Sequence, residues 1–214
     1  MSGARRPAAT GPVLVLASQS PRRAQLLEML GLHFSVAPTD IDETWLPAEE
    51  PGAHVARLAR EKAEAAAARL PHALVIGSDT VVVLDRAVLG KPCDAGEALE
   101  MLLQLQGRTH EVATAVAITA NGATRSVTER VRVHFRSFDE TTARAYIATG
   151  EPLDKAGAYG IQGRGATLVD RIDGDYFAVM GFPIVRFIEL LRAFGWCYDF
   201  RALYRCGEEW SGAD

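Results

Sequence analysis

"HEVATAVAITANGATRSVTERVRVHF", residues 110–135, decides the fold class. Asn121-Gly122 is the strongest short hairpin signal, because a type I′ turn needs positive φ at both central residues. Runs rich in Val, Thr and Ala flank it, so two long antiparallel strands meet there. Such a pair has no place in an all-parallel sheet, whose strands are joined by crossovers. Yet the chain before it has a strand–helix–strand pattern. "VLVLAS" (13–18) reads as a buried strand, a helix runs from Pro21 to a stop at Gly31, and "HFSVAP" (33–38) is a second strand. A helix covers 51–69, and "ALVIGSDTVVVL" (73–84) is a long β-branched strand. A turn at Asp85-Arg86 and "AVLGKP" close another hairpin. Helices follow at 94–105 and 139–150, then a glycine-rich segment over 151–165. "ATLVDRIDGDYFAVMG" (166–181) reads as two strands about a turn, and an amphipathic helix over 182–195 closes the pattern. The expected class is α/β, a mixed sheet flanked by helices.

Composition narrows the function. The 214 residues are 48% hydrophobic, enough for a sizeable core. A net charge of −4 argues against a general nucleic-acid binder, which needs a basic face. No apolar run approaches the roughly 18–20 residues of a membrane span. "MSGARRPAATGP" (1–12) lacks the apolar core of a signal peptide and reads as a disordered tail, with a targeting segment as the alternative. The three cysteines, Cys93, Cys197 and Cys206, are odd in number and contain no CxxC pair. That points to a reduced, cytoplasmic protein without structural zinc.

Several residues break local rules. Ser20-Pro21 is a good helix start, but Arg22 and Arg23 follow in the first turn, where the helix dipole disfavours cations. Either both point into solvent or a strongly anionic ligand sits there, and phosphate suits a helix N-terminus with arginines. Lys62 falls in the middle of the apolar face of the 51–69 helix, as a snorkelling lysine or one aimed at phosphate. Asp79 interrupts an apolar strand, and a buried carboxylate needs a cation, a hydrogen-bond network or a turn. Lys91 follows one hairpin later. Glu43 lies in an acidic loop with Asp40 and Asp42, which is either solvated or able to serve Mg²⁺. Cations for phosphate with carboxylates for a metal suggest phosphate-ester or phosphoanhydride chemistry. The chain has no GxxxxGK[ST], no dinucleotide fingerprint and no GxSxG elbow. Its histidines show no metal-ligand spacing, and Arg130, Arg132, His134 and Arg136 read as a solvated strand face.

"LASQSPRR" (16–23), "REKA" (60–63), "GSDTVV" (77–82), "LGKP" (89–92) and "GEPLDKAGAYGIQG" (150–163), in this order, resemble the Maf family of nucleotide pyrophosphatases. The resemblance spans about residues 13–194 and leaves 195–214 as a tail without an assigned role. It implies a fold related to the inosine-triphosphate pyrophosphatases, an elongated sheet in two lobes with a central cleft. It implies cleavage of nucleoside triphosphates between the α- and β-phosphates, with Mg²⁺ or Mn²⁺. On the matching positions, Asp79, Glu43, Lys62 and Lys91 form the expected catalytic set, with Asp79 as base and Asp79 and Glu43 as metal ligands. Ser18, Arg22, Arg23, Thr80 and Gln162 form the expected substrate-binding set. Arg22, Thr80 and Gln162 resemble the branch that hydrolyses dTTP and UTP, whose expected role is removing non-standard pyrimidine nucleotides. Gln162 suits that base, since its amide can donate to O4 and accept from N3–H. A nucleotide-binding regulator of cell division and a pyrophosphatase for modified purine triphosphates stand as alternatives. The expected partner is a nucleoside triphosphate, with a homodimer as the assembly considered and neither nucleic acid nor membrane.

Overall fold

The structure, a computed structural model, describes residues 11–207. Its elements are β1 (Leu14–Leu16), α1 (Pro21–Met29), β2 (Phe34–Val36), α2 (Pro51–Ala67), β3 (Leu74–Leu84), β4 (Ala87–Leu89) and α3 (Ala95–Leu105). Then come β5 (Thr109–Ala120), β6 (Ala123–Phe135), α4 (Glu140–Ile147), β7 (Val169–Asp173), α5 (Tyr176–Val179), α6 (Ile184–Ala193), β8 (Trp196–Tyr198) and β9 (Leu203–Arg205). The main sheet has seven strands in the order β2-β1-β3-β5-β6-β7, with β4 paired to β3. The β2-β1-β3 pairs are parallel and the β3-β5-β6-β7 pairs antiparallel, so the sheet is mixed as expected. Asn121 and Gly122 turn the β5–β6 hairpin with φ of 51° and 75°.

The long β5–β6 hairpin joins two apolar clusters. Val116 and Ile118 pack with α1 and α6 around Leu27, Phe182 and Phe187. Val112, Val133 and Phe135 pack with α3 and α4 around Leu102, Leu105 and Tyr159. A third, alanine-rich cluster lies under α2. The strand β3 crosses all of this and carries Asp79 at the middle.

Two expectations are corrected. Residues 166–181 are not two strands about a turn. The chain leaves β7 at Gly174, and the Asp175 carboxylate accepts from Phe177 N at 2.8 Å, capping the one-turn helix α5. The cysteines are not all reduced: Cys197 and Cys206 form a disulfide, and Cys93 is free and exposed. The β8–β9 hairpin, in which Cys197 pairs with Tyr204, brings the two together. That hairpin is part of the fold, since Leu203 enters the first cluster and Tyr198 OH donates to Leu30 O at 2.8 Å. Of the 1–12 tail, residues 1–10 lie outside the described residues, as does Trp210.

Candidate active site

The helix α2 lays Val55, Leu58, Ala59, Ala63 and Ala66 on the sheet, each almost fully buried. Lys62 lies on the same face, 9% exposed. Small side chains let α2 come unusually close to β3. A Cβ on Gly77 would lie 2.1 Å from Ala59 O and 2.9 Å from Ala63 N. Two residues on, and so on the same strand face, stands Asp79. It interrupts no hydrogen bonding: β3 runs straight through it, opposite Ala115. Lys62 Nζ lies 2.7 Å from Asp79 Oδ1 and 2.6 Å from Glu43 Oε1. The two breaks in apolar pattern therefore explain each other. Burial pushes the Glu43 carboxyl up, but the Lys62 hydrogen bond and the charges of Lys62, Lys91 and Arg23 outweigh it and hold it below its ordinary value.

The opposite face of β3 presents Thr80 to α1. Arg23 folds back from the first turn of α1 and is held on three sides. Its Nε donates to Gly181 O at 2.9 Å, and its terminal nitrogens donate to Ser18 Oγ at 3.2 Å and Thr80 Oγ1 at 3.4 Å. Burial lowers its pKa from the ordinary arginine value, with nearby Asp79 opposing. Ser20 occupies the N-cap position of α1 but makes no side-chain cap bond; Ser18 Oγ instead accepts from Ser20 N at 3.1 Å. Arg22 reaches the other way and pairs with Asp154 at 2.9 Å. The cations at the wrong end of α1 thus face a cleft.

That cleft is a cavity of about 580 Å³, within the size range of small-molecule sites. Arg22, Arg23, Glu43, Lys62 and Asp79 all line it, as do Thr80, Lys91 and Gln162. Ser18 does not; it stands behind Arg23 and orients it. The glycine-rich segment forms one wall. Glu151 anchors that segment by accepting from Tyr146 OH at 2.9 Å and from Arg164 N and Gly165 N at 3.0 Å each. Tyr159 pins it from behind through His110 Nε2 at 2.7 Å. Other lining residues escaped the sequence reading, among them Asp154, Lys155 and Trp45. Asp154 and Lys155 stand in the glycine-rich motif itself, ion-paired at 2.6 Å, and a charged pair amid glycines was a readable signal. Trp45, on the exposed loop after Glu43, gave no periodic signal at all. Arg130 pairs with Glu111, and Arg132 and His134 with Asp173; the arginines are exposed as expected, but the His134 side chain is mostly covered.

The cleft's cations and carboxylates find their context in the comparisons with known proteins. Residues 13–194 match the family described as Maf-like protein. The chain belongs to the Maf-like family. A relative named dTTP/UTP pyrophosphatase from Moorella thermoacetica is 54% identical over 184 residues, covering 85% of this chain and 95% of its own. Another of that name, from Shewanella denitrificans, is 50% identical over 187 residues, covering 84% and 94%. Among solved structures, the Staphylococcus aureus Ham1 protein is similar at a TM-score of 0.47 and 16% identity, over 85% of this chain and 96% of its own.

The carboxylates of this Maf-like protein suit a magnesium-like cation. Glu43 and Asp79 already converge on one cationic atom, Lys62 Nζ. Among the described residues no cluster of three or more His, Cys, Asp or Glu could hold a metal by itself. Two carboxylates with the remaining ligands drawn from substrate phosphates is the usual magnesium arrangement.

Proposed function

We propose that the chain hydrolyses dTTP and UTP between the α- and β-phosphates, giving the nucleoside monophosphate and pyrophosphate. The observation that carries this reading is Lys62 Nζ held between Glu43 and Asp79 in a cavity that Arg22, Arg23 and Lys91 also line. A triphosphate's negative charge needs several cations, and the rate depends on stabilising charge that develops on the leaving pyrophosphate. Arg23 is pre-oriented by Ser18, Thr80 and Gly181, so little ordering remains to be done on binding. Asp79 Oδ1 is taken by Lys62, which leaves Oδ2 to accept a proton from the attacking water. Glu43 and Asp79 would hold a divalent cation, Mg²⁺ or Mn²⁺, which supplies charge neutralisation at the phosphate oxygens when bound. The relatives' names support the choice of dTTP and UTP.

A regulator that only bound nucleotide would have no use for two carboxylates in a phosphate cleft. All of the named residues come from one chain, so the reading needs neither nucleic acid nor a second copy. Among the described residues no helix is long and apolar enough to cross a membrane. Nucleoside triphosphates are cytoplasmic, so we place the reaction there, where the Cys197–Cys206 bond would face reduction. The test is pyrophosphate release across a nucleotide panel, with Mg²⁺ and with excess chelator. Release from dTTP and UTP that chelator abolishes is expected. Equal release from all nucleotides, or full activity in chelator, would count against it.

A further inference from the structure

The cavity's cations meet the phosphate end of a nucleotide, and Gln162 meets an edge of the base. The base's flat face also needs a partner. We infer that Trp45 is the platform on which the base stacks. This rests on the proposed function, since it assumes a nucleotide in the cavity.

Three planar side chains of the aromatic or imidazole kind line the cavity: Trp45, His54 and Tyr159. His54 is 3% exposed and Tyr159 5%, so neither offers a face. Trp45 is 37% exposed. One face of its indole is covered by His54, with ring centroids 3.6 Å apart and planes within 4° of parallel. Its exposed surface therefore belongs to the other face and the edges.

An exposed tryptophan on a loop would normally lose much freedom on binding. This one is already held. His54 Nδ1 bonds Glu49 Oε2 at 2.8 Å. Arg57 grips both oxygens of the same carboxylate, at 2.7 and 2.8 Å, and also donates to Thr44 O at 3.0 Å. Leu46 N donates to Glu49 at 3.2 Å, and Asp42 caps Thr44 N at 2.9 Å. The bonds to Thr44 N, Thr44 O and Leu46 N hold the backbone on either side of Trp45. Pre-organisation of this kind lowers the ordering cost of a stacking contact.

The position also fits. Trp45 is two residues beyond Glu43, whose carboxylate touches Lys62 at the phosphate end. Two residues of chain span at most about 7 Å, which is the order of the distance from a nucleotide's α-phosphate to its base. Stacking on one aromatic face with hydrogen bonding at the edge is a usual way to hold a single base. Stacking accepts the flat face of any base, so Trp45 would supply affinity and Gln162 the choice of base.

The experiment compares wild type with Trp45→Ala and Trp45→Phe, using UTP as substrate and inorganic tripolyphosphate as a base-free competitor. We expect Trp45→Ala to raise KM for UTP by roughly 10-fold or more, with kcat within about threefold and tripolyphosphate inhibition unchanged. Trp45→Phe should recover most of the loss. UMP should quench the tryptophan emission of wild type but not of Trp45→Phe, which keeps Trp196 and Trp210. An unchanged KM in Trp45→Ala overturns the inference. So does equal weakening of tripolyphosphate, which would mean that Trp45 acts through its loop on the phosphate end. Should Trp45→Ala not fold, the UMP quench decides alone, and its absence in wild type is contrary. Quenching by UMP without hydrolysis of any triphosphate would keep the platform and remove the pyrophosphatase reading.

Discussion

Lys62 and Asp79 are 17 positions apart in the chain and 2.7 Å apart in space, and both are buried. Neither could stay buried alone, because an unpaired charge in a protein interior costs several kcal/mol. Together with Glu43 they make a site that is neutral enough to fold and charged enough to handle phosphate. Asp79→Asn keeps the volume and can still accept from Lys62, so the protein should fold. It cannot take a proton from water, so kcat should fall by roughly 10²–10⁴-fold. Circular dichroism together with turnover of UTP checks both halves. Near-normal turnover would make Asp79 a structural partner of Lys62 only.

The closeness of α2 to β3 makes a second prediction. Gly77→Ala would force a methyl against Ala59 O and the Ala63 backbone. Backbone cannot rotate away as a side chain can, so α2 must shift and carry Lys62 with it. The loss should reach or exceed the roughly 1–3 kcal/mol typical of overpacking, measured by urea unfolding, and activity should fall as well. A substitution without effect on either would show that α2 and β3 are less tightly apposed.

Asp79 and Lys62 were visible in the sequence because each put a charge where periodicity demanded an apolar residue, and Arg22 and Arg23 because they opposed a helix dipole. The Asn121-Gly122 hairpin was visible through turn chemistry. Trp45 was not, because an exposed loop has no period against which one residue can look wrong. The Cys197–Cys206 bond was hidden for a related reason: what joins the two is the pairing of β8 with β9. The helix α5 was missed because a single turn is too short to show a helical period, and only the Asp175 cap marks it.

A third prediction concerns the base. Gln162 lines the cavity from the glycine-rich wall that Glu151 anchors. Glu at this position could still accept from N3–H but would oppose O4. Gln162→Glu should lower kcat/KM for dTTP and UTP by roughly 10–100-fold, and lower it less for 7-methyl-GTP, whose guanine edge offers neighbouring donors. An unchanged preference ratio between the nucleotides would remove Gln162 from base reading.

Acid should lower stability over two distinguishable pH windows. Burial, aided by the charge of His134, lowers His110 to about 4. An unfolded histidine titrates near 6.5, so between these values the unfolded chain binds the extra proton and stability falls as pH falls. Hydrogen bonds from Arg57 act first on Glu49, against burial, and with His54 and Leu46 they hold it at about 2. Its stabilising contribution is complete above about 4.5 and is lost as pH drops toward 2. His110→Gln should flatten the urea-midpoint profile between about pH 6.5 and 4 without changing the lower limb. Glu49→Gln should do the reverse. A profile unaffected by either substitution would contradict these assignments.

On the proposed function, the cleft directs water to the bond between the α- and β-phosphates. Phosphorus NMR of UTP incubated with the full chain and Mg²⁺ tests it most directly, because it identifies both products at once. UMP and pyrophosphate are expected in equal amounts, with no orthophosphate and no UDP. UDP and orthophosphate as the products, or UTP left intact, would contradict it.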